Sequence, residues 1–247
     1  MKQGPQPGGD IIDRVSTYIA RSGEAELSAD VIRKAKQHVL DTVAAIICGS
    51  ILKPGQLAKK FALQQGGTKE SQIAGSSIMT TAINAAFAMG MMAHSDETDD
   101  SHERAGIHPG CAVVPAALAV AEREGADGMR VLRGVVAGYD IACRITPALG
   151  VQNVRNRALS VHAIGSNFGA AAAAASVMGL RDELVRYVWD YAGQQDSGKY
   201  YWVRDTDHVE KAFAFAGMGA RKGVTAAVLV QSGFTGVADV FSGENNY

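Results

Sequence analysis

The chain has little of what marks several protein classes. Only three cysteines occur in 247 residues: Cys48, Cys111 and Cys143. They are odd in number, far apart and set among apolar neighbours, which argues against a disulfide framework or a thiolate metal cluster and for buried free thiols in a reducing cytosol. Neither sign of charge dominates. Lys and Arg number 24 against 25 Asp and Glu, a formal net charge of -1, so there is no electrostatic footprint for nucleic acid or an anionic membrane. No apolar run reaches the ~20 residues of a membrane span. The alanine-rich runs are broken by Asn84, Asn167 and glycines and read as buried helices. The N-terminus, MKQGPQPGGD, lacks the apolar stretch of a signal peptide, so residues 1–9 read as a flexible leader and the expected place is the cytoplasm. There is no fixed-period repeat and no low-complexity linker.

What is present suits a globular core: 47% apolar and 20% charged residues. The pattern predicts an almost entirely α-helical chain, with residues 10–247 as a single helical domain. Asp10 can cap Ile11–Ser22 and Ser28 can cap 29–48, where Val31, Ala35, Val39, Val43 and Ile46 recur at helical spacing until Gly49. Pro54 opens a short helix ending before Gly66-Gly67, and 71–74 suggests a short strand. Helices follow over 80–93, from Pro109 to Glu124 with Gly125 as C-cap, over Gly128–Leu149 with Gly134 and Gly138 forming a close-packing face, over 164–178 and over 181–194. Residues 195–206 read as a loop, Val209–Gln231 as a Gly/Ala-rich helix, and Phe234-Thr235-Gly236 as a turn into further ordered structure. Helices 80–93 and 164–178 carry few charges on any face, more apolar surface than one small core needs, which predicts an extensive interface.

Residues 93–110, AHSDETDDSHERAGIHPG, carry the chemistry. Asp96, Glu97, Asp99, Asp100 and Glu103, with His94, His102 and His108, crowd into fifteen residues between two apolar helices. A calcium loop is excluded by the spacing of the acids and the lack of a glycine at the sixth position. As a transition-metal site, His94-x-Asp96 and Asp100-x-His102 give ligand types but no closed set, so no metal is expected. Two readings remain: a solvated acidic loop capping a helix, or an acid/base site in which carboxylates orient histidines that exchange protons near neutral pH. Gly217-x-Gly219-x-x-x-Gly223 misses a nucleotide loop by one residue and reads as close helix packing. His162 is either a cap histidine or a proton-transfer group. Lys211, ahead of Ala212-Phe213-Ala214-Phe215-Ala216, either snorkels or pairs a substrate carboxylate.

Several of these pieces recur in a fixed order. Val39-Leu40-Asp41-Thr42 is followed by Asn84 with Ala93-His94, the acids of 97–101, His108-Pro109 and Val136-Ala137-Gly138-Tyr139-Asp140. Then come His162 with Phe168-Gly169-Ala170-Ala171-Ala172, Gly193-Gln194-Gln195 with Ser197-Gly198, and Gly233-Phe234-Thr235-Gly236. In this series the chain resembles the MmgE/PrpD family of 2-methylcitrate dehydratase, cis-aconitate decarboxylase and iminodisuccinate epimerase. The resemblance implies the family's large all-α helical bundle, with the smaller α/β lid domain absent because the sequence stops about where it would begin. It also implies a cofactor-independent lyase, with dehydration as the leading reaction, acting on a small di- or tricarboxylate. The family's acidic motif, Asp-Phe-Asp-Asp-Thr, falls on Glu97-Thr98-Asp99-Asp100-Ser101, its His-Pro pair on His108-Pro109, its later histidine on His162 and its helix-leading lysine on Lys211. The residues after Lys211 lack the family's usual histidine. His108, His162, Lys211 and Glu97 are the expected catalytic residues. Asp99, Asp100, Ser101, His102 and His94 are the expected substrate-binding ones, with the helix N-terminus after Pro109 as a further anion holder. The expected partners are the carboxylate substrate and either a second copy or a chain carrying the lid.

Overall fold

Alanine and glycine set how this bundle packs, because they let helix backbones approach where larger side chains would hold them apart. The computed structural model describes residues 11–244 and 246–247; the leader and the Asp10 cap lie outside the described residues. At the centre is α8, Val161–Met178, nearly all of it buried. Across it run α6, Gly128–Leu149, and α5, Gly110–Glu124, with α11, Met218–Gln231, on another side. A Cβ placed on Gly138 of α6 would lie 2.8 Å from the carbonyl oxygen of Gly169 in α8, and one on Gly169 would lie 3.0 Å from the Gly138 carbonyl. The two backbones therefore touch at reciprocal glycines. The Gly217–Gly223 series packs likewise, since a Cβ on Gly223 would meet the Ala171 nitrogen at 2.4 Å.

The outer elements are α1, Ile11–Ser22, α2, Ala29–Gly49, α3, Lys53–Gln65, and α9, Asp182–Gln194. Ser28 caps α2 by accepting from the Val31 N–H. Gly49 does more than stop that helix: a Cβ there would come within 1.9 Å of the Met92 carbonyl oxygen in α4, Ala82–Ala93. Strand β1, Ser71–Gln72, pairs antiparallel with β2, Met79–Thr80, in the register Ser71↔Thr80 and Gln72↔Met79. Thr80 thus belongs to a strand rather than to the following helix, and Thr81 is the cap, accepting from Asn84 N–H at 3.3 Å.

Other boundaries also depart from expectation. A short helix α7, Val151–Asn156, fills what reads as a link, and α8 starts three residues early, placing His162 in its first turn. The loop at 195–206 contains a 3₁₀ turn, Tyr200–Arg204. The helix from Val209 is α10, Val209–Ala212, then a π-helical segment, Phe213–Gly217, then α11. Val209–Gln231 does reach the length and apolarity of a membrane span, contrary to the sequence reading, but 67% of its most apolar window is buried within the chain, as in a core helix. The three cysteines are free, yet only Cys111 is buried; Cys143 is intermediate and Cys48 exposed. Helices α4 and α8 are covered by neighbours of the same chain, so their uncharged faces are not the surface a partner would cover.

Candidate functional site

A small apolar cluster of Trp202, Ala214 and Phe215 lies apart from the main core. Around it the fold gathers the ends of four helices. The π-helical segment carries Phe215, and its extra residue per turn leaves a carbonyl unmatched; Ser166 of α8 donates its hydroxyl to the Phe215 carbonyl. The Phe215 ring lies between two imidazoles. His94, the C-cap of α4, stacks on it at 4.5 Å and 13°, and His162 stacks on it at 3.7 Å and 21°. His108, at the start of α5, closes the ring of side chains, 5.0 Å from His94 and 5.7 Å from His162 between centroids.

The charges are arranged in a series. The Asp99 carboxylate is fully buried and accepts from the His94 Nδ1–H at 2.9 and 3.0 Å. His108 Nδ1 lies 3.5 Å from Asp99 Oδ2, an ion-pair contact and too long for a good hydrogen bond. Burial alone would raise the Asp99 pKa, but the two histidines outweigh it and hold the carboxyl below the usual carboxylate range. For His108, burial works against the charge, while Asp99, Asp100 and Glu97 win and raise its pKa above the ordinary histidine value. In His94, burial prevails over Asp99 and lowers the pKa. His162 has no carboxylate beside it. Burial, then the nearby His108, His94, Arg155 and Lys211, push it down to about 2, and its Nδ1 is buried with no hydrogen-bond partner among the described residues. One cluster thus biases His108 toward its protonated form and His162 toward its neutral form. Titratable groups pushed apart in this way are the mark of an acid and a base.

Lys211, on α10, reaches over the same aromatic floor, 5.3 Å from the Phe215 centroid and 5.6 Å from Trp202. Its ammonium donates to Glu97 Oε1. Burial would raise the Glu97 pKa, but Lys211 holds the carboxylate below its ordinary range. Glu97 sits at φ 58°, in the left-handed region that non-glycine residues seldom occupy.

The expected site residues therefore divide. His94, Glu97, Asp99, His108, His162 and Lys211 converge. Asp100 turns away: Oδ1 accepts from Gly110 N–H at 2.9 Å, and Oδ2 accepts from Tyr139 OH at 2.7 Å and lies 2.7 Å from His38 Nδ1 as an ion-pair contact. Asp100 thereby occupies the N-terminus of α5, the place proposed from sequence for a substrate anion. Ser101 is exposed, and His102, also exposed, accepts from Ala105 N–H at 3.1 Å in a turn bridged to Ile107. Asp96 caps its own turn by accepting from Thr98. His94, Asp99 and Cys111 bring one ligand atom each within 4.8 Å of one another. Hydrogen bonding accounts for part of this set: His94 Nδ1 and Asp99 bond each other, and the Cys111 thiol, its pKa pushed well up by burial, donates to the His108 carbonyl at 3.1 Å, while His94 Nε2 is buried with no partner among the described residues.

Phe215, Trp202 and His208 escape the sequence reading. Phe215 was readable as the residue four after Lys211 on one helix face, and His208 as the residue three before it. The π-helical segment that aims Phe215 had no such signal.

Two comparisons bear on this arrangement. The family model described as the MmgE/PrpD N-terminal domain matches residues 13–247. A protein of Aspergillus oryzae named cis-aconitate decarboxylase-like protein oryM is 24% identical over 246 residues, covering 95% of this chain and 50% of its own length. The chain spans about half the length of that curated relative.

Proposed function

Since the chain belongs to the MmgE/PrpD family, we propose that it supplies the acid/base half of a cofactor-independent lyase, a dehydratase acting on a small di- or tricarboxylate. The observation that carries this reading is the placement of the His162 and His108 rings 5.7 Å apart over one aromatic floor, with their pKa values pushed in opposite directions. In the proposed reaction His162 removes a proton from the carbon beside a carboxylate. The C–H electron pair becomes the new C=C bond. The neighbouring C–O bond breaks, and the departing hydroxyl takes the His108 proton and leaves as water. Asp99 stays ionised and holds His108 protonated until then. Lys211 offers its ammonium to a substrate carboxylate in exchange for Glu97. A base so far below its ordinary value is weak. Burial is the largest cause of that lowering and the cationic neighbours add to it; a bound polyanion offsets the neighbours and moves the His162 pKa upward.

Decarboxylation is the second reading, favoured by the name of the Aspergillus relative. Here the C–C bond to a carboxylate breaks, CO₂ leaves, and the carbanion takes the His108 proton. The test is turnover of cis-aconitate, 2-methylcitrate and related tricarboxylates followed by NMR, which separates loss of water from loss of CO₂. His162→Gln and His108→Gln should each lower turnover by about 10²–10⁴-fold with folding intact. Near-native activity in both variants sinks the assignment. A wild-type chain inert to the whole panel, alone and with a lid-bearing partner, favours a scaffold subunit instead.

We propose further that the site is closed by another chain or segment, in a homodimer or a complex with a lid. Supporting this, Glu97 is half exposed, and Tyr200, Tyr201 and Val203 leave apolar surface on the turn that ends in Trp202's neighbours. A closed site excludes water and strengthens each of these interactions. Light scattering of the chain alone and with its genomic neighbour tests this: a fully active monomer is incompatible with it.

A further inference from the structure

His208 enters none of the steps above, yet its placement is specific. It opens α10, three residues before Lys211, with φ 58°. Only two other non-glycine residues described here have positive φ, and one of them is Glu97. A non-glycine residue held in that region needs its surroundings to hold it. The His208 imidazole donates from Nε2 to the His94 carbonyl at 2.9 Å. Its Nδ1 lies 3.5 Å from Glu97 Oε1, the same oxygen that receives the Lys211 ammonium. One ring thus joins the C-terminal end of α4, the loop bearing Glu97 and the helix bearing Lys211.

We propose that His208 is a positioning residue that holds Lys211 and Glu97 in register with the histidine cluster by clamping α10 to the carbonyl of His94, the C-cap of α4. It rests on the reading that Lys211 receives a substrate carboxylate. The alternative is that His208 matters only as a backbone turn, the left-handed residue that starts α10. The two differ in what the imidazole contributes, so glycine and glutamine substitutions separate them. His208→Gly keeps the left-handed backbone at no steric cost and deletes the ring. His208→Gln keeps an N–H donor for the His94 carbonyl.

The full chain is labelled with an amine-acetylating reagent, and the rate at Lys211 is read by mass spectrometry against exposed Lys34. Melting is followed in parallel. In His208→Gly, Lys211 labelling should rise about tenfold with little change in melting, since the buried carbonyl loses its donor and α10 its anchor. His208→Gln should return most of the wild-type rate. Where wild type turns over a tricarboxylate, KM should rise about tenfold in the glycine variant while kcat changes less than about threefold. Wild-type labelling and KM in His208→Gly overturn the proposal, as does failure of His208→Gln to restore labelling. Because labelling needs no substrate, a wild-type chain without turnover defeats the functional reading and still leaves this one to be decided.

Discussion

The neutral state assigned to His162 can be tested through stability alone, with no substrate. Its pKa is lowered from the ordinary 6.5 to about 2 in the folded chain. Between those values the unfolded chain binds a proton that the folded chain refuses. Stability therefore falls as pH drops below about 6.5, and the loss is complete only near the folded value. At pH 4.5, two pH units below 6.5, the linkage is worth about 2.7 kcal/mol at roughly 1.36 kcal/mol per unit. The ring is not fully buried, and solvent screening reduces the expected effect to about 1–2 kcal/mol. His162→Gln removes the titrating group and retains a polar side chain of similar reach. Urea unfolding at pH 7.0 and 4.5 gives the two stabilities for each protein, and equal m-values show that the comparison is sound. The wild type should lose about 1–2 kcal/mol more than the variant over this interval. His94, also lowered, is present in both proteins and cancels. Parallel pH–stability curves would show that His162 is not held neutral by the fold, and the base assignment would go with it.

Other outcomes follow from the same geometry. Asp99→Asn should drop the His108 titration, followed by ring-proton NMR, to or below the ordinary histidine value, since Asp99 leads the contributions that raise it; it should also cost about 1–3 kcal/mol, because His94 loses a buried charged acceptor. The wild-type stability from Asp99 is present above about pH 4 and lost as pH falls toward its lowered value, so the gap between variant and wild type should close in acid. Gly138→Ala should destabilise by about 1–3 kcal/mol in urea unfolding, since the new methyl meets Val113 Cγ1 at 2.5 Å and the Gly169 carbonyl at 2.8 Å. Asp100→Ala should cost about 2–4 kcal/mol by the same assay, as Tyr139 OH and the Gly110 N–H lose their shared acceptor and His38 its ion-pair contact.

What the sequence conveyed, and where it fell short, depends on the range of the interactions involved. Helix caps and stops are local, so Ser28, Gly125 and the run to Leu149 could be placed from neighbours in the chain. Gly134 and Gly138 were legible as a packing face because four residues is one helical turn. The hairpin was only half legible: β1 reads as a strand, but Thr80 is claimed by the hairpin through a partner, Ser71, nine residues back. Burial of Cys48 was misread because α2 presents that thiol to solvent despite apolar neighbours in sequence. The same lesson applies to α4 and α8, whose lack of charge reflects a central position rather than a missing partner.

The site makes the limit sharpest at Asp99 and Asp100. These adjacent acids share a residue type and a loop, and the sequence assigned them one role. The chain bends at Asp99, and Asp99 enters the cleft between His94 and His108 while Asp100 turns to α2, α5 and α6. Which acid faces the cleft is decided by partners up to 62 residues away, His38 and Tyr139 among them. The division has a chemical consequence. Asp100 secures the start of α5 and hence the backbone beside His108, leaving Asp99 free to set the charge of His108. Had both carboxylates faced the cleft, their repulsion would raise the pKa of one and weaken the contrast between His108 and His162 on which proton transfer depends.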